Sequence, residues 1–101
     1  MSDEIFRDDH TFADDPSRVV LFACRDDSYP GGVYYRMQYY DTETGETLLR
    51  YDDAHEDPEI GWHHRHAGEE RTAIEFTDIR THKDCFLDEV ETIHDERTQT
   101  R

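Results

Sequence analysis

The residues best suited to chemistry lie close together in segment 51–66, whose sequence is YDDAHEDPEIGWHHRH. Four of the protein's seven histidines fall in this segment, two adjacent aspartates stand near its start, and an arginine separates His64 from His66. Titratable groups gathered in this way are the usual material of a binding or catalytic site. The segment therefore predicts a functional site, although it does not name the reaction.

Acid–base catalysis is the first chemistry that these residues suit. An imidazole titrates near pH 6.5, so a histidine pair can serve as general base and general acid, while an arginine binds phosphate through paired hydrogen bonds. This set fits metal-free RNA cleavage, in which the 2′-hydroxyl is the nucleophile. We assign His64 and His66 as the pair, Asp52 as the group that orients one imidazole, and Arg36 as a further member if its strand lies beside strand 46–52.

Two other interpretations use the same side chains. His55, His64 and His66, together with Asp52 or Asp53, could hold zinc or another divalent metal, but their spacing matches no standard zinc motif. The histidines could also simply bond to carboxylates and stabilise a polar loop. Spacing alone leaves the three interpretations open, and the preferred one needs no cofactor.

Any RNA contact must be local in so acidic a chain, because salt suppresses the counterion release that drives general phosphate binding. Stacking of a base on an aromatic ring contributes roughly 1–3 kcal/mol. We expect Tyr34, Tyr40 and Trp62 to stack on bases and Arg65 to bind a phosphate.

The surrounding elements predict an α+β domain: an antiparallel meander of five or six strands with one C-terminal helix packed on a face. Residues 33–40, VYYRMQYY, alternate apolar and polar side chains as a half-buried strand does. A turn containing Gly45 should return the chain as strand 46–52. The predicted strands are 4–12, 17–25, 33–40, 46–52, 63–67 and 71–76.

The helix is predicted over residues 78–95, with Thr77 as its N-cap. Its apolar stripe at helical spacing comprises Ile79, His82, Phe86, Val90 and Ile93. His82 on this stripe is expected to pack in the core and not to bind a metal. We expect a single domain over 1–101, with its core in 4–95 and a frayed tail at 96–101.

The net charge of −15 at pH 7 reflects 26 acidic residues against 11 basic ones, among which Lys83 is the only lysine. Near 1 M salt the Debye length falls to about 3 Å, so such an excess is tolerated in a saline cytoplasm. The acids are spread along the chain, which favours this halophilic interpretation over an acidic protein that binds a basic partner.

The positions of the two cysteines and the distribution of apolar residues predict the state of the thiols and the localisation of the protein. Cys24 and Cys85 are far apart and are expected to be buried free thiols. No apolar run approaches the length of a membrane span, and the N-terminus lacks a signal peptide's pattern, so we expect a cytoplasmic protein.

The order of four motifs resembles the TumE family of toxin–antitoxin proteins over about residues 5–93. These motifs are VYYRMQYY, LLRYDD, HHRH and the helical CFLDEV. The residues within them that resemble the family are Tyr35-Arg36, Tyr51-Asp52-Asp53, His64-Arg65-His66 and Phe86. The family segment commonly reads Tyr-Asp-Asn, so Asp53 is a departure that removes the amide at this position.

The resemblance implies a toxin paired with a small helix-turn-helix antitoxin. We expect it to act on RNA through the His/Asp/Arg site, with metal-independent cleavage as the candidate reaction. We expect the antitoxin to cover the face formed by Tyr34, Arg36, Gln38 and Tyr40. The alternative is a non-catalytic regulatory or metal-stabilised binding module that partners a small DNA-binding protein.

Overall fold

The predicted strands pair in chain order into one antiparallel meander. The computed structural model describes residues 3–99. Its elements are β1 (Asp3–Thr11), β2 (Ser17–Arg25), β3 (Val33–Asp41), β4 (Thr47–Asp52), β5 (His64–Ala67), β6 (Glu70–Ala73) and the helix α1 (Ile79–Gln99). The sheet order is β1-β2-β3-β4-β5-β6, and every neighbouring pair is antiparallel. The predicted α+β architecture is confirmed.

The core lies between α1 and the alternate residues of β3 that the sequence pattern assigned to it. Tyr35, Met37 and Tyr39 have no exposed surface, and α1 buries His82, Phe86 and Val90 against this side of the sheet. Within residues 3–99 no helix covers the sheet's other face, which we call the open face. Period-two alternation alone was enough to separate the two faces of β3.

His82 is a core residue, as the helical stripe predicted. Its ring lies 4.8 Å from that of Tyr35 and 5.0 Å from that of Tyr51, centroid to centroid. Burial lowers the pKa of His82 to about 4, so the ring is neutral at neutral pH.

The N-terminal end of α1 differs from the prediction by one residue. The Asp78 carboxylate, and not the hydroxyl of Thr77, caps the helix by accepting a 2.8 Å hydrogen bond from the backbone N–H of Thr81. Two adjacent residues with good capping side chains make this choice ambiguous in sequence.

The C-terminal end of α1 lies beyond residue 95, so residues 96–99, which were predicted to fray, are helical. Residues 100 and 101 lie outside the described part of the chain. Arg97 holds this end through Nε, 2.9 Å from Asp15 Oδ2, and Nη2, 2.8 Å from Asp41 Oδ2. These carboxylates precede β2 and end β3, so the ion pairs fasten the last helical turn to the sheet.

Two smaller predictions also need adjustment. The last strand is shorter than 71–76, because β6 ends at Ala73 and Phe76 turns back to stack on His63 at 4.5 Å. Cys24 is a buried free thiol, but Cys85 is exposed because its position lies off the apolar stripe. Within residues 3–99, α1 lacks the apolar stretch that crossing a bilayer would require.

Truncating the central helix residue should be costly. Phe86 is fully buried and meets Tyr51 edge-on at 5.0 Å, so we expect Phe86→Ala to lower the free energy of unfolding by about 3–5 kcal/mol. Denaturant unfolding measures this, with the adjacent Leu87→Ala as control. Leu87 is 37% exposed and should cost less than about 1 kcal/mol. Equal losses for the two variants would contradict the packing described here.

Candidate functional site

The open face brings together the four residues that the sequence assigned to catalysis. In the sheet register, His64 on β5 lies opposite Asp52 on β4, which lies opposite Arg36 on β3. In the next row, His66 lies opposite Arg50. Directly opposed residues of antiparallel strands project from the same face. The condition placed on Arg36, that its strand lie beside β4, is therefore met.

His64 is held on both sides of its ring. It is 2% exposed, its Nδ1 lies 3.1 Å from Asp52 Oδ1, and its Nε2 lies 2.7 Å from the carbonyl oxygen of Gly61. A carbonyl only accepts, so Nε2–H donates to it. With an acceptor at each nitrogen, His64 has none free for a substrate in this conformation. It fastens loop 53–63 to β4, so its geometry is that of a positioning residue.

His66 is the more accessible member of the pair. Its Nε2 lies 3.2 Å from Nη2 of Arg50, and because a guanidinium only donates, this nitrogen carries a lone pair. Partial burial, followed by the charge of Arg50, lowers the pKa of His66, so the ring is neutral at neutral pH. A neutral, partly exposed imidazole is a suitable proton acceptor.

Arg50 is the site residue that sequence reasoning did not assign. Its Nε lies 2.8 Å from Asp52 Oδ2, a charge contact in which the N–H does not point at the oxygen. The same guanidinium reaches His66, so Asp52, Arg50, His64 and His66 form one network. The signal in the sequence was the spacing of Arg50 and Asp52, which places both on one face of one strand.

Part of the ligand set proposed for a metal is brought together by the fold. Asp52, His64 and His66 offer ligand atoms that lie within 4.8 Å of one another. The predicted Asp53 is not among them. Arg50 contacts both the carboxylate of Asp52 and Nε2 of His66, so a fixed positive charge lies where a cation would bind. The residue types suit zinc, but this charge opposes it.

The loop between β4 and β5 is ordered by Asp57, which is buried. Its carboxylate accepts a 2.8 Å hydrogen bond from the N–H of Glu59 and pairs with Arg71 of β6. The loop does bring His55 back toward the histidine pair, as expected, with its ring centroid 5.2 Å from that of His64. His55 itself is exposed.

Three of the four residues predicted to contact RNA lie on or beside the open face. Tyr34 adjoins Arg36 in a groove of about 590 Å³, and Tyr40 lines the same groove beyond Gln38. Tyr34 contacts Tyr29 at 5.0 Å, and Trp62 meets Tyr29 edge-on at 6.2 Å. Tyr29 thus links Trp62 to the open face, a role that loop position alone did not reveal.

The fourth, Arg65, lies on the helix side of the sheet. Its Nη2 is 2.5 Å from Oε2 of Glu89 on α1, and the same carboxylate accepts a hydrogen bond from the hydroxyl of Tyr51. The structure therefore does not bring Arg65 together with the other predicted RNA contacts.

The open face differs in charge from the whole protein. Its positions in the strand pairing carry five arginines and three acids, namely Arg7, Arg18, Arg36, Arg50 and Arg71 against Glu4, Asp9 and Asp52. The whole chain carries 26 acids and 11 basic residues. Four of these arginines make ion pairs with nearby acids. Within residues 3–99, exposed Arg36 makes no ion pair or side-chain hydrogen bond.

Asp53 faces the interior, although it adjoins Asp52. It is fully buried, Oδ1 accepts a 2.9 Å hydrogen bond from the N–H of Tyr35, and Oδ2 has no hydrogen-bond partner among the described residues. Burial, reinforced by the charge of Asp52, raises the pKa of Asp53 to about 6. Its ionised form is therefore disfavoured in the folded state.

Replacing this acid with its neutral analogue should stabilise the protein above pH 6. A carboxyl whose pKa is raised on folding contributes stability that is complete below about pH 3.8 and lost as pH rises through 6. We expect Asp53→Asn to raise the free energy of unfolding by about 1–3 kcal/mol at pH 8, with a smaller gain near pH 4. Denaturant unfolding at both pH values measures the difference. A variant less stable than wild type at pH 8 would contradict this account of Asp53.

One family of known proteins matches most of the chain. A family model described as Toxin TumE matches residues 2–94, a span that includes every residue of the site above. No curated protein and no solved structure matches the chain. Because the family match extends from before β1 into the last turns of α1, it covers far more than half of the sequence. The chain therefore belongs to the TumE family of toxins.

Proposed function

We propose that this toxin acts on RNA, which it binds across the open face. The observation that supports this most directly is the concentration of arginines there in a chain of net charge −15. Local positive charge beside aromatic rings is the usual footprint of a nucleic-acid site. On the helix side of the sheet, the excess of acids would repel a phosphate backbone.

Arg36 is the proposed phosphate ligand. Its guanidinium is exposed, has no ion-pair partner within residues 3–99, and lies in the groove next to Tyr34, with Tyr40 further along β3. A free guanidinium binds two phosphate oxygens at once, whereas the other open-face arginines would first have to leave a carboxylate. A base next to the bound phosphate would lie near the ring of Tyr34, and a base further along β3 would lie near that of Tyr40.

His66 is the proposed general base. Arg50 occupies the lone pair of the His66 Nε2 in this structure, so that guanidinium would first turn to the phosphate. The lone pair would then take the proton of an RNA 2′-hydroxyl, whose oxygen attacks the adjacent phosphorus. The bond from phosphorus to the 5′-oxygen breaks, and exposed His55 is the proposed donor of the proton which that oxygen needs. The products are a 2′,3′-cyclic phosphate and a 5′-hydroxyl. Asp52 and His64 would hold Arg50 and loop 53–63 in place and would not touch the RNA.

The proposal also covers the protein partner of the toxin and the salt content of its cytoplasm. Membership of a toxin family implies a cognate antitoxin. We propose a small helix-turn-helix protein encoded beside the toxin, and a saline cytoplasm in which the surplus of acidic side chains keeps the protein hydrated and soluble.

A second candidate function follows from the grouping of Asp52, His64 and His66 within 4.8 Å. In this alternative the protein is a non-catalytic module, stabilised by a divalent metal, that regulates or partners a small DNA-binding protein. Arg50 argues against it, since its guanidinium contacts two of the three ligands.

Single substitutions should separate catalysis from structure. We expect Arg36→Ala and His66→Ala each to slow RNA cleavage by about 10²–10⁴-fold and to relieve growth inhibition in cells without antitoxin. Cleavage of a labelled RNA in molar salt, with analysis of the product ends, measures both. His64→Ala is a poorer probe, because loss of its two buried hydrogen bonds also destabilises the fold.

The matched controls are Arg80→Ala on α1 and His10→Ala on β1, which remove the same groups from exposed positions outside the site. Both should remain fully active. Full toxicity of Arg36→Ala and His66→Ala would show that the proposed site is wrong.

Metal removal tests the alternative. If the function is metal-independent cleavage, EDTA should leave both the melting temperature and the cleavage rate unchanged. A stoichiometric metal in the purified protein, with unfolding on chelation, would favour the binding module, since metal binding would then be part of folding. Elemental analysis and a thermal melt with and without EDTA supply the two measurements.

A further inference from the structure

A second concave surface lies on the helix side of the sheet. Helix α1 packs chiefly on β3 and β4, which leaves a groove of about 640 Å³ between β1 and the helix. The apolar side chains in it are Phe12, Val19, Leu21, Leu87 and Val90. Leu87 is 37% exposed and is one of two large apolar side chains exposed among residues 3–99. We call this surface the β1–α1 groove.

Carboxylates border the β1–α1 groove mainly along its helix side. Glu91 and Asp95 line the helix side and Asp8 lines the strand side, whereas the carboxylate of the adjoining Asp9 pairs with Arg18 on the open face. The lysine at one end, Lys83, is already occupied, because its Nζ lies 3.1 Å from Asp8 Oδ2 and 4.6 Å from the ring centre of Phe6. An apolar floor beside the carboxylates of α1 matches a partner surface that is apolar along one line and basic on the flank that faces the helix.

The length of the groove indicates the form of that partner. Along α1 it runs from Lys83 to Asp95, which is about 18 Å at 1.5 Å per residue. That distance takes about three turns of a second helix, enough for apolar anchors at positions i, i+3 or i+4, and i+7.

We propose that the β1–α1 groove docks a basic amphipathic helix of the antitoxin. This inference rests on the toxin–antitoxin pairing of the proposed function, and it does not depend on RNA cleavage. The alternation of β3 predicted the open face as the antitoxin surface. However, the arginines there repel a basic helix, whereas the carboxylates of the groove attract one. The toxin would then bind its two partners on opposite sides of the sheet.

The test compares two apolar positions of equal exposure. Leu87 lies in the groove, whereas Ile5, also 37% exposed, lies outside it. The probe is the purified product of the adjacent open reading frame, titrated calorimetrically against the full chain in molar salt. We expect Leu87→Glu to weaken binding at least tenfold, or about 1.4 kcal/mol or more, and Ile5→Glu and Arg36→Ala to change it less than twofold. Unchanged melting temperatures confirm that each variant is folded.

A charge substitution gives an independent reading of the same contact. Glu91→Arg should weaken binding several-fold at about 0.1 M salt and much less near 1 M, since screening removes most of the attraction of exposed charges. Arg80→Glu, on the same helix but outside the groove, reverses a charge as a control and should not weaken binding.

The outcomes separate this inference from RNA cleavage. Antitoxin binding that falls with Leu87→Glu supports the groove even if no variant cleaves RNA. Binding that is lost with Arg36→Ala and kept with Leu87→Glu places the antitoxin on the open face and overturns the inference. So does a wild-type protein that does not bind the probe, or a self-association that Leu87→Glu abolishes, since the occupant would then be a second copy.

Discussion

The buried carboxylate of Asp52 is the contact on which the candidate site depends. It is 6% exposed and meets His64 through one oxygen and Arg50 through the other, so its charge is compensated on both sides. A buried charge that loses a partner is strongly destabilising, because its desolvation is no longer offset. Through His64 the carboxylate also reaches the Gly61 carbonyl, and so it fixes where loop 53–63 lies. The position of His66 beside Arg50 follows from this network.

Two other buried groups make the interior respond to pH in opposite directions. His82, with a pKa lowered to about 4, contributes stability that is complete above about pH 6.5 and lost as pH falls through 4. Asp53, with a pKa raised to about 6, contributes stability that is complete below about 3.8 and lost as pH rises through 6. Between about pH 4 and 6 the two trends partly offset each other, so the wild-type profile conceals two sizeable contributions.

Local sequence patterns predicted the strand faces and the pairing of neighbouring strands, but they did not predict contacts between segments far apart in the chain. Alternation along β3 predicted which residues enter the core, and a short turn with Gly45 at φ 76° predicted that Arg36 would lie near Asp52. Neither rule could reveal that Glu89, far along the chain on α1, would engage Arg65. Period-two alternation is enough to place Arg65 on the face opposite His64 and His66, but it does not identify the partner of Arg65.

For the histidines, too, contacts between paired strands could be predicted from the sequence, whereas contacts with an irregular loop could not. The pairing of His64 with Asp52 follows from two strands and could be anticipated, and it is present at 3.1 Å. The hydrogen bond from Nε2 of His64 goes to a backbone carbonyl in an irregular loop, and no simple sequence pattern predicts that contact. A histidine predicted to exchange protons was therefore found to be fully engaged, while the role of Arg50 emerged only from its distances to Asp52 and His66.

The ion pairs of Arg97 also constrain the order in which the molecule can assemble. Its partner Asp15 lies 82 residues earlier, so this contact closes nearly the whole chain into a loop, whereas each hairpin of the meander closes only a short one. Loop closure costs more entropy as the loop grows, and contacts distant in sequence slow folding. The hairpins can therefore form during synthesis, but the final fastening of the helix must wait for its last turn. The core between the sheet and α1 therefore cannot be completed until the end of the chain has been synthesised.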